Sequence, residues 1–393
     1  MTKQKKRLFD RLVNVFIGGF LDMNSPFGAD VSKASAYLWS FPEPKDDFDR
    51  SFYQYRCQSF LRKRFALWLL NMGCFFAIIP YIFICRFKKA RTVESREALF
   101  CISIADKSII PESLLKEYES IKITSECEGY ALNSFDVKFI WRCFLKHPFA
   151  FYLLMHLVFK ISIYRYFIEK YKPKAIVTNG EYACTSSILT YYCEQQGISH
   201  IDIMHGEKLF HIRDSFFRFT KCYVWDEGYI ELLKSLRADK NDYVVEVPPS
   251  LLFKRTEETN GLPMVDYSYI LFGNEKLEEI ADTLHQLKSI GYSFKVRPHP
   301  TYTDINKVQH LFIEDEIEDC TVPISTSVLT SRNVISLYST VLLQAYLSGV
   351  NVIIDDLHFP NEFNKLNDLK YMLISKNPKR LSNVIVKIAG RVV

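Results

Sequence analysis

An imidazole set between two prolines and a hydroxyl-rich turn are the residues of this chain best suited to chemistry on a phosphate group. The first is His299 in Lys295-Val296-Arg297-Pro298-His299-Pro300, and the second is Ser336-Leu337-Tyr338-Ser339-Thr340. An imidazole can donate a hydrogen bond or a proton to a phosphate oxygen while charge develops there. Ser339 and Thr340 add hydroxyls, and the helix expected from Val341 to Ser348 adds free backbone N–H groups. Arg297 could add a charge, although its strand position can equally point it to the other face, and with Ser336 and Gly273 the set reads as a clamp for a diphosphate or phosphomonoester. A plainer reading makes His299 a loop histidine and Ser336 and Ser339 helix caps.

Apolar runs must carry both motifs. A strand over Tyr267–Phe272, a helix over Glu275–Ile290 closed by Gly291, the strand ending in Arg297, and a strand, loop, helix and strand over Asn333–Asp355 form one alternating series. Both motifs then fall at strand ends, where ligands bind in an alternating sheet. A second series lies upstream. It has strands at Ala98–Ala105, Ile121–Thr124, Lys174–Thr178, Ile198–Met204 and Cys222–Trp225, and helices at His147–Tyr171, Thr185–Gln196 and from Tyr229. Val244–Leu262, with Pro248, Pro249 and Gly261, is the expected linker. The expected organisation is an irregular hydrophobic extension over 1–95, an acceptor-side α/β domain over 96–247 and a nucleotide-binding α/β domain over 262–393.

Deprotonating an acceptor hydroxyl needs a carboxylate or imidazole. Glu181 in Asn179-Gly180-Glu181, and His205 with Glu207 in His205-Gly206-Glu207, sit on strand-end turns of the first series. Asp226 in Asp226-Glu227-Gly228 is a further candidate, as is Glu275, which follows Asn274 at the end of the second series' first strand. Each carboxylate can equally be a helix N-terminal acid favoured by the helix dipole.

Charged residues are 24% of the chain and the formal charge is +5, which describes a folded chain without a nucleic-acid signature. The ten cysteines form no C-x-x-C pair and are expected to be reduced thiols. Lys5, Lys6 and Arg7 are followed by an apolar run that Asp10, Arg11 and Asn14 interrupt, so no secretory signal is expected. Phe65–Cys85 contains no charge and has Arg62, Lys63 and Arg64 before it and Arg86, Lys88, Lys89 and Arg91 after it. Its length could cross a bilayer, although Asn71, Gly73 and Pro80 favour a buried or interface-lying helical hairpin. Basic flanks suit the cytoplasmic face of a membrane.

Over Lys174–Asp356 the chain resembles bacterial GT-B glycosyltransferases, and within them the sialyltransferase-like group, nearest the lipooligosaccharide sialyltransferases. Arg297-Pro298-His299-Pro300 and Ser336 with Ser339-Thr340 carry that resemblance. It implies two Rossmann-like doubly wound domains facing a cleft, and inverting transfer of an acidic sugar from a CMP-sugar donor to a glycan acceptor of bacterial surface polysaccharide. His205-Gly206 resembles instead the CDP-glycerol phosphotransferases of wall teichoic acid type, in which His205 would be the base. A non-catalytic polysaccharide-binding module is the third class. No cofactor and no metal are expected, because manganese-dependent transferases hold the ion with a D-x-D pair and the chain is read as having none. The expected partners are the CMP-sugar donor, a glycan or lipid-linked oligosaccharide acceptor and the cytoplasmic membrane surface, with a cytoplasmic location peripheral to the inner membrane.

Overall fold

The computed structural model describes residues 28, 30–62, 64–89, 93–102, 106–125, 127–257, 261–273 and 275–392. Lys5, Lys6, Arg7, Asp10, Arg11, Asn14, Lys63, Arg91, Asn274 and the end of the strand expected through Ala105 lie outside them. The chain divides between Glu246 and Val247 into two compact units.

The first unit is built on a six-stranded, all-parallel sheet. Its strands are β1 (Ala98–Cys101), β2 (Ile121–Thr124), β3 (Ala175–Thr178), β4 (Ser199–Ile203), β5 (Lys221–Val224) and β6 (Tyr243–Val245), in the order β2-β1-β3-β4-β5-β6. Ala98, Leu99 and Phe100 of β1 and Ala175, Ile176 and Val177 of β3 are fully buried. Such unbroken apolar runs are what a parallel strand covered on both faces requires. The helix Phe151–Tyr171 supplies much of one covering layer, and it is fixed by a buried network. Arg165 grips Asp136 through Nε and Nη2 at 2.9 and 2.8 Å, and Tyr192 donates to the same carboxylate at 2.8 Å.

The described part of the N-terminal segment is helical, contrary to the irregular course expected before Phe65, and one continuous helix stands where a helical hairpin is expected over Phe65–Cys85. Helices run over Val31–Trp39, Asp47–Phe60 and Arg64–Arg86. Asp30 and Asp46 begin the first two by accepting the N–H groups of Lys33 and Asp49. Short caps of this kind set helix starts that a search for apolar periodicity passes over. The helix Asp47–Phe60 also buries polar residues against the sheet unit. Gln54 donates to the Glu181 carbonyl at 2.9 Å and Gln58 to that of Tyr182 at 2.8 Å. The segment is therefore part of the first unit and holds the loop after β3.

Two helices among the described residues are long and apolar enough to cross a membrane, Arg64–Arg86 and Phe151–Tyr171. They differ in burial, 6% against 61% of their apolar windows. The second is a core helix. The first packs on it with one side, through Ile78, Tyr81, Ile82 and Cys85, and leaves Phe65, Trp68, Phe76, Ile79 and Phe83 exposed.

The second unit carries a five-stranded parallel sheet of β7 (Val265–Ile270), β8 (Phe294–Arg297), β9 (Ser331–Ser336), β10 (Asn351–Ile354) and β11 (Lys379–Arg380), in the order β11-β10-β9-β7-β8. Both units are α/β and doubly wound. In each, the connections leave to opposite sides between the first and third strands, β1 and β3 or β7 and β9. The expected linker is shorter than predicted, since Tyr243–Val245 forms edge strand β6 and Pro249–Leu251 a short 3-10 turn.

Candidate functional site

At the carboxyl edge of the first sheet, the turn after β3 and the turn after β4 bring Glu181 and His205 together. Glu181 Oε1 lies 3.0 Å from His205 Nδ1 and also contacts Lys208 Nζ. Glu181 and Lys208 are buried, and His205 is about one third exposed. Burial alone would raise the Glu181 carboxyl, but the Lys208 charge and the His205 contact outweigh it and hold the group down to about 2. Lys208 is raised despite its own burial, because Glu181 faces it. Neither Glu181 oxygen makes a hydrogen bond of good alignment, so charge rather than directed bonding holds the carboxylate.

In the field of that carboxylate an imidazole proton is favoured on Nδ1, the nitrogen facing it, and Nε2 is then the acceptor. The arrangement suits a base. Glu181 itself, 1% exposed and held ionised, is placed to position His205 rather than to reach an acceptor. Beneath them, Asp202 at the end of β4 accepts the Gly180 N–H at 2.7 Å. Burial, and then the Glu181 charge, push its carboxyl far above the usual range. Lys208 and Asp202 did not stand out in the sequence. Asp202 alternates with apolar residues inside a strand, and Lys208 follows the His-Gly-Glu turn with no motif of its own.

The other acidic candidates are used locally. Asp226 caps the helix Glu227–Ser235 by accepting the Gly228 N–H at 2.7 Å. Glu275 accepts the N–H groups of Phe272 and Gly273 and so closes the loop after β7. Glu207 is half-buried in the turn that carries His205. The chain does contain one D-x-D spacing, Asp47-Phe48-Asp49, but Asp47 is paired with Arg218 at 2.7 Å and Asp49 accepts the Lys45 N–H. Among the described residues no group of three His, Cys, Asp or Glu side chains is arranged to hold a metal ion.

At the carboxyl edge of the second sheet, His299 is locked by its own loop. Its Nδ1 accepts the N–H groups of Thr301 and Tyr302 at 3.1 and 3.2 Å, and its ring stacks on Tyr302 at 4.6 Å. Accepting at Nδ1 places the neutral ring's proton on Nε2. His299 thus presents a donor, the opposite polarity to His205. Gly273 makes this possible. Its φ is +96°, and a Cβ there would lie 2.6 Å from the Cβ of Tyr302. Ser339 caps the helix Thr340–Leu347, accepting the Val341 N–H at 3.2 Å, and Thr340 is exposed at the helix start.

Two expected phosphate ligands are occupied elsewhere. Arg297 pairs with Glu318 at 2.8 Å and donates to the Val322 carbonyl at 2.8 Å. Ser336 is fully buried and donates to the Ile270 carbonyl at 3.0 Å, tying β9 to β7. Strand direction explains both. The residues sit within the last ladder positions of β8 and β9, where side chains point into the covering layers. The sequence also gave no sign of a buried array in which Asp355 accepts from Tyr269 and faces His358 Nδ1 at 2.7 Å, while His358 Nε2 meets Thr283 at 2.9 Å.

No protein-family model and no curated protein sequence matches this chain. Solved structures similar to it include the wall teichoic acid polymerase TagF, at 12% identity and a TM-score of 0.38, covering 83% of each chain. Another is the UDP-GlcNAc 2-epimerase of Methanocaldococcus jannaschii, at 13% identity and 0.38, covering 65% of this chain and 83% of that one. A third is the glycotransferase of kitacinnamycin, at 8% identity and 0.40, covering 74% and 86%. At these values no residue role passes from them to this chain. The α/β assignment rests on the two parallel sheets themselves.

Proposed function

We propose that this protein is a glycosyltransferase that uses a nucleotide-activated donor. The observation that carries the reading is the imidazole of His205, oriented at Nδ1 by buried Glu181 3.0 Å away and leaving Nε2 to accept a proton. In the proposed reaction, Nε2 takes the proton of an acceptor hydroxyl while its oxygen attacks the donor's anomeric carbon. The bond from that carbon to the phosphate oxygen breaks, and its electron pair stays on the departing nucleotide. On the second unit taken by itself, Nε2–H of His299 and the first N–H groups of helix Thr340–Leu347 are donors suited to a nucleotide phosphate. The displacement is inverting, and these groups supply it without a metal.

The finer proposal is a CMP-activated acidic sugar, sialic acid or a related nonulosonate, added to a bacterial surface glycan. What supports it is the pairing of Arg297-Pro298-His299-Pro300 with the Ser339-Thr340 turn. A second reading, transfer of an alditol phosphate from a CDP-alditol, is favoured by the position of the oriented imidazole in a His-Gly turn. We place the protein at the cytoplasmic face of a membrane. In support, the exposed apolar side of helix Arg64–Arg86 is followed by Lys88 and Lys89, which suit anionic headgroups.

Turnover separates the readings. Purified protein is supplied with CMP-sialic acid or CDP-glycerol and a glycan or polyol-phosphate acceptor, and nucleotide release is followed in wild type and His205→Ala. CMP release from CMP-sialic acid that is lost in the variant, with donor affinity kept, supports the main reading. CMP release from CDP-glycerol alone moves the assignment to the second, and equal release by the variant removes His205 as the base.

A further inference from the structure

A cavity of about 580 Å³ opens at the carboxyl edge of the first sheet. Ile102 and Thr178, at the ends of β1 and β3, contribute to its lining, so it occupies the place where the chain connections diverge. The helix Phe151–Tyr171 gives it Phe159, Ile163 and Phe167, an apolar wall, together with Lys160 and His156. Arg62 lines it as well and lies over the Tyr152 ring at 5.7 Å.

Among the described residues the charged side chains lining this cavity, Arg62 and Lys160, are both positive and no carboxylate lines it. The His156 imidazole is lowered by its surroundings, the charges of Arg62 and Lys160 included. The two cations favour a negative charge there.

Two neighbours locate the cavity functionally. Tyr182 lines it and meets the His205 ring edge to face at 5.3 Å, so its contents lie beside the oriented base. Arg62 stands two residues before helix Arg64–Arg86, whose exposed side begins with Phe65 and Trp68. An apolar wall, two cations and an exposed apolar helix leading away from them suit one class of molecule, an anionic head on a hydrocarbon.

We propose that this cavity is the acceptor subsite and takes a phosphate ester of a hydrocarbon. The phosphate sits between Arg62 and Lys160, and the hydrocarbon lies on Phe159, Ile163 and Phe167. The acceptor role rests on the transferase reading, whereas the binding does not.

Calorimetry on the full chain would compare decyl phosphate with inorganic phosphate and with decyl maltoside, in wild type, Lys160→Met and Lys160→Glu. Decyl phosphate is expected to bind at least about tenfold tighter than either probe, and Lys160→Glu to weaken it at least about tenfold, with Lys160→Met between. In wild type, decyl phosphate should also slow alkylation of Cys127, which lines the cavity, and leave Cys320 on the second unit unchanged. Equal binding of decyl maltoside, or unprotected Cys127, overturns the site. Equal binding of inorganic phosphate overturns the hydrocarbon half and leaves a free phosphate as ligand. CMP and CDP titrated into the same samples report on the transferase reading separately, since loss of nucleotide binding removes that reading and not this site.

Discussion

At the edge of the first sheet, Glu181, Lys208 and Asp202 are buried with their charges set against one another, while at the edge of the second, Arg297, Ser336 and Ser339 are used up in bonds to their own chain. The two sheets share one winding pattern, so topology does not make the difference. Buried ionisable groups whose protonation is shifted in opposite directions mark a place kept ready for proton transfer. Polar groups with their hydrogen bonds filled mark a scaffold, and at this edge His299 Nε2 and the start of helix Thr340–Leu347 are left to face a ligand. Under the proposed function, the conspicuous motif would supply rigidity and two or three donors, and the less conspicuous turns after β3 and β4 would supply the base.

The sharpest way to break this contrast is His205→Ala. Losing a positioned general base is expected to lower kcat by about 10²- to 10⁴-fold, with nucleotide affinity unchanged, as single-turnover kinetics and calorimetry on one preparation would show. A comparable loss of nucleotide affinity would mean the two edges do not divide the labour in this way.

Next comes Glu181→Gln, which leaves Lys208 buried without its counter-charge and should cost about 3 to 5 kcal/mol of stability by denaturant unfolding. The pH dependence carries the same sign. Glu181 is depressed to about 2 from an ordinary 4.5, so its stabilisation is full above the ordinary value and fades as pH falls towards 2. Asp202 is raised from an ordinary 3.8, so its contribution is present in acid and is lost as pH rises through the raised value. Asp202→Asn should then be tolerated or stabilising at pH 7 while Glu181→Gln is not. If both substitutions cost the same, the opposed ionisation of the pair is wrong.

The strands were legible because parallel strands buried on both faces are written as unbroken apolar runs, as in Ala175-Ile176-Val177. So were the turns carrying Glu181, His205 and His299, since glycine or proline punctuates each. What could not be read was direction and partnership. Nothing in Arg297-Pro298-His299 says that the arginine turns to Glu318, twenty-one residues on, while the histidine folds back on its own loop. Lys208 gains meaning only once β3 and β4 lie side by side. The helices Val31–Trp39 and Asp47–Phe60 were missed for a related reason. Asp47–Phe60 buries Arg50, Gln54 and Gln58 beside Tyr55, so polar residues blur the stripe that Phe48, Phe52 and Tyr55 form.

His299→Ala tests what the second edge contributes. Removing a donor to a charged phosphate is expected to weaken nucleotide binding by about 1.5 to 3 kcal/mol, read by calorimetry with CMP and CDP. His299→Asn is a useful companion, because its amide can restore a donor and should recover part of the loss. Unchanged affinity in both variants would leave the second edge without a ligand-facing group.

The smallest effect expected is that of Ser339→Ala. Its hydroxyl accepts the Val341 N–H, so the variant frees one N–H at the start of helix Thr340–Leu347. Losing the cap should lower stability by about 1 kcal/mol, yet the freed N–H adds a donor where the phosphate is proposed to sit. Affinity should therefore fall by less than in His299→Ala, and stability should fall measurably in thermal unfolding without nucleotide. A large loss of affinity at unchanged stability would show the hydroxyl itself to be a ligand, and the second edge would then be less of a scaffold than its hydrogen bonds indicate.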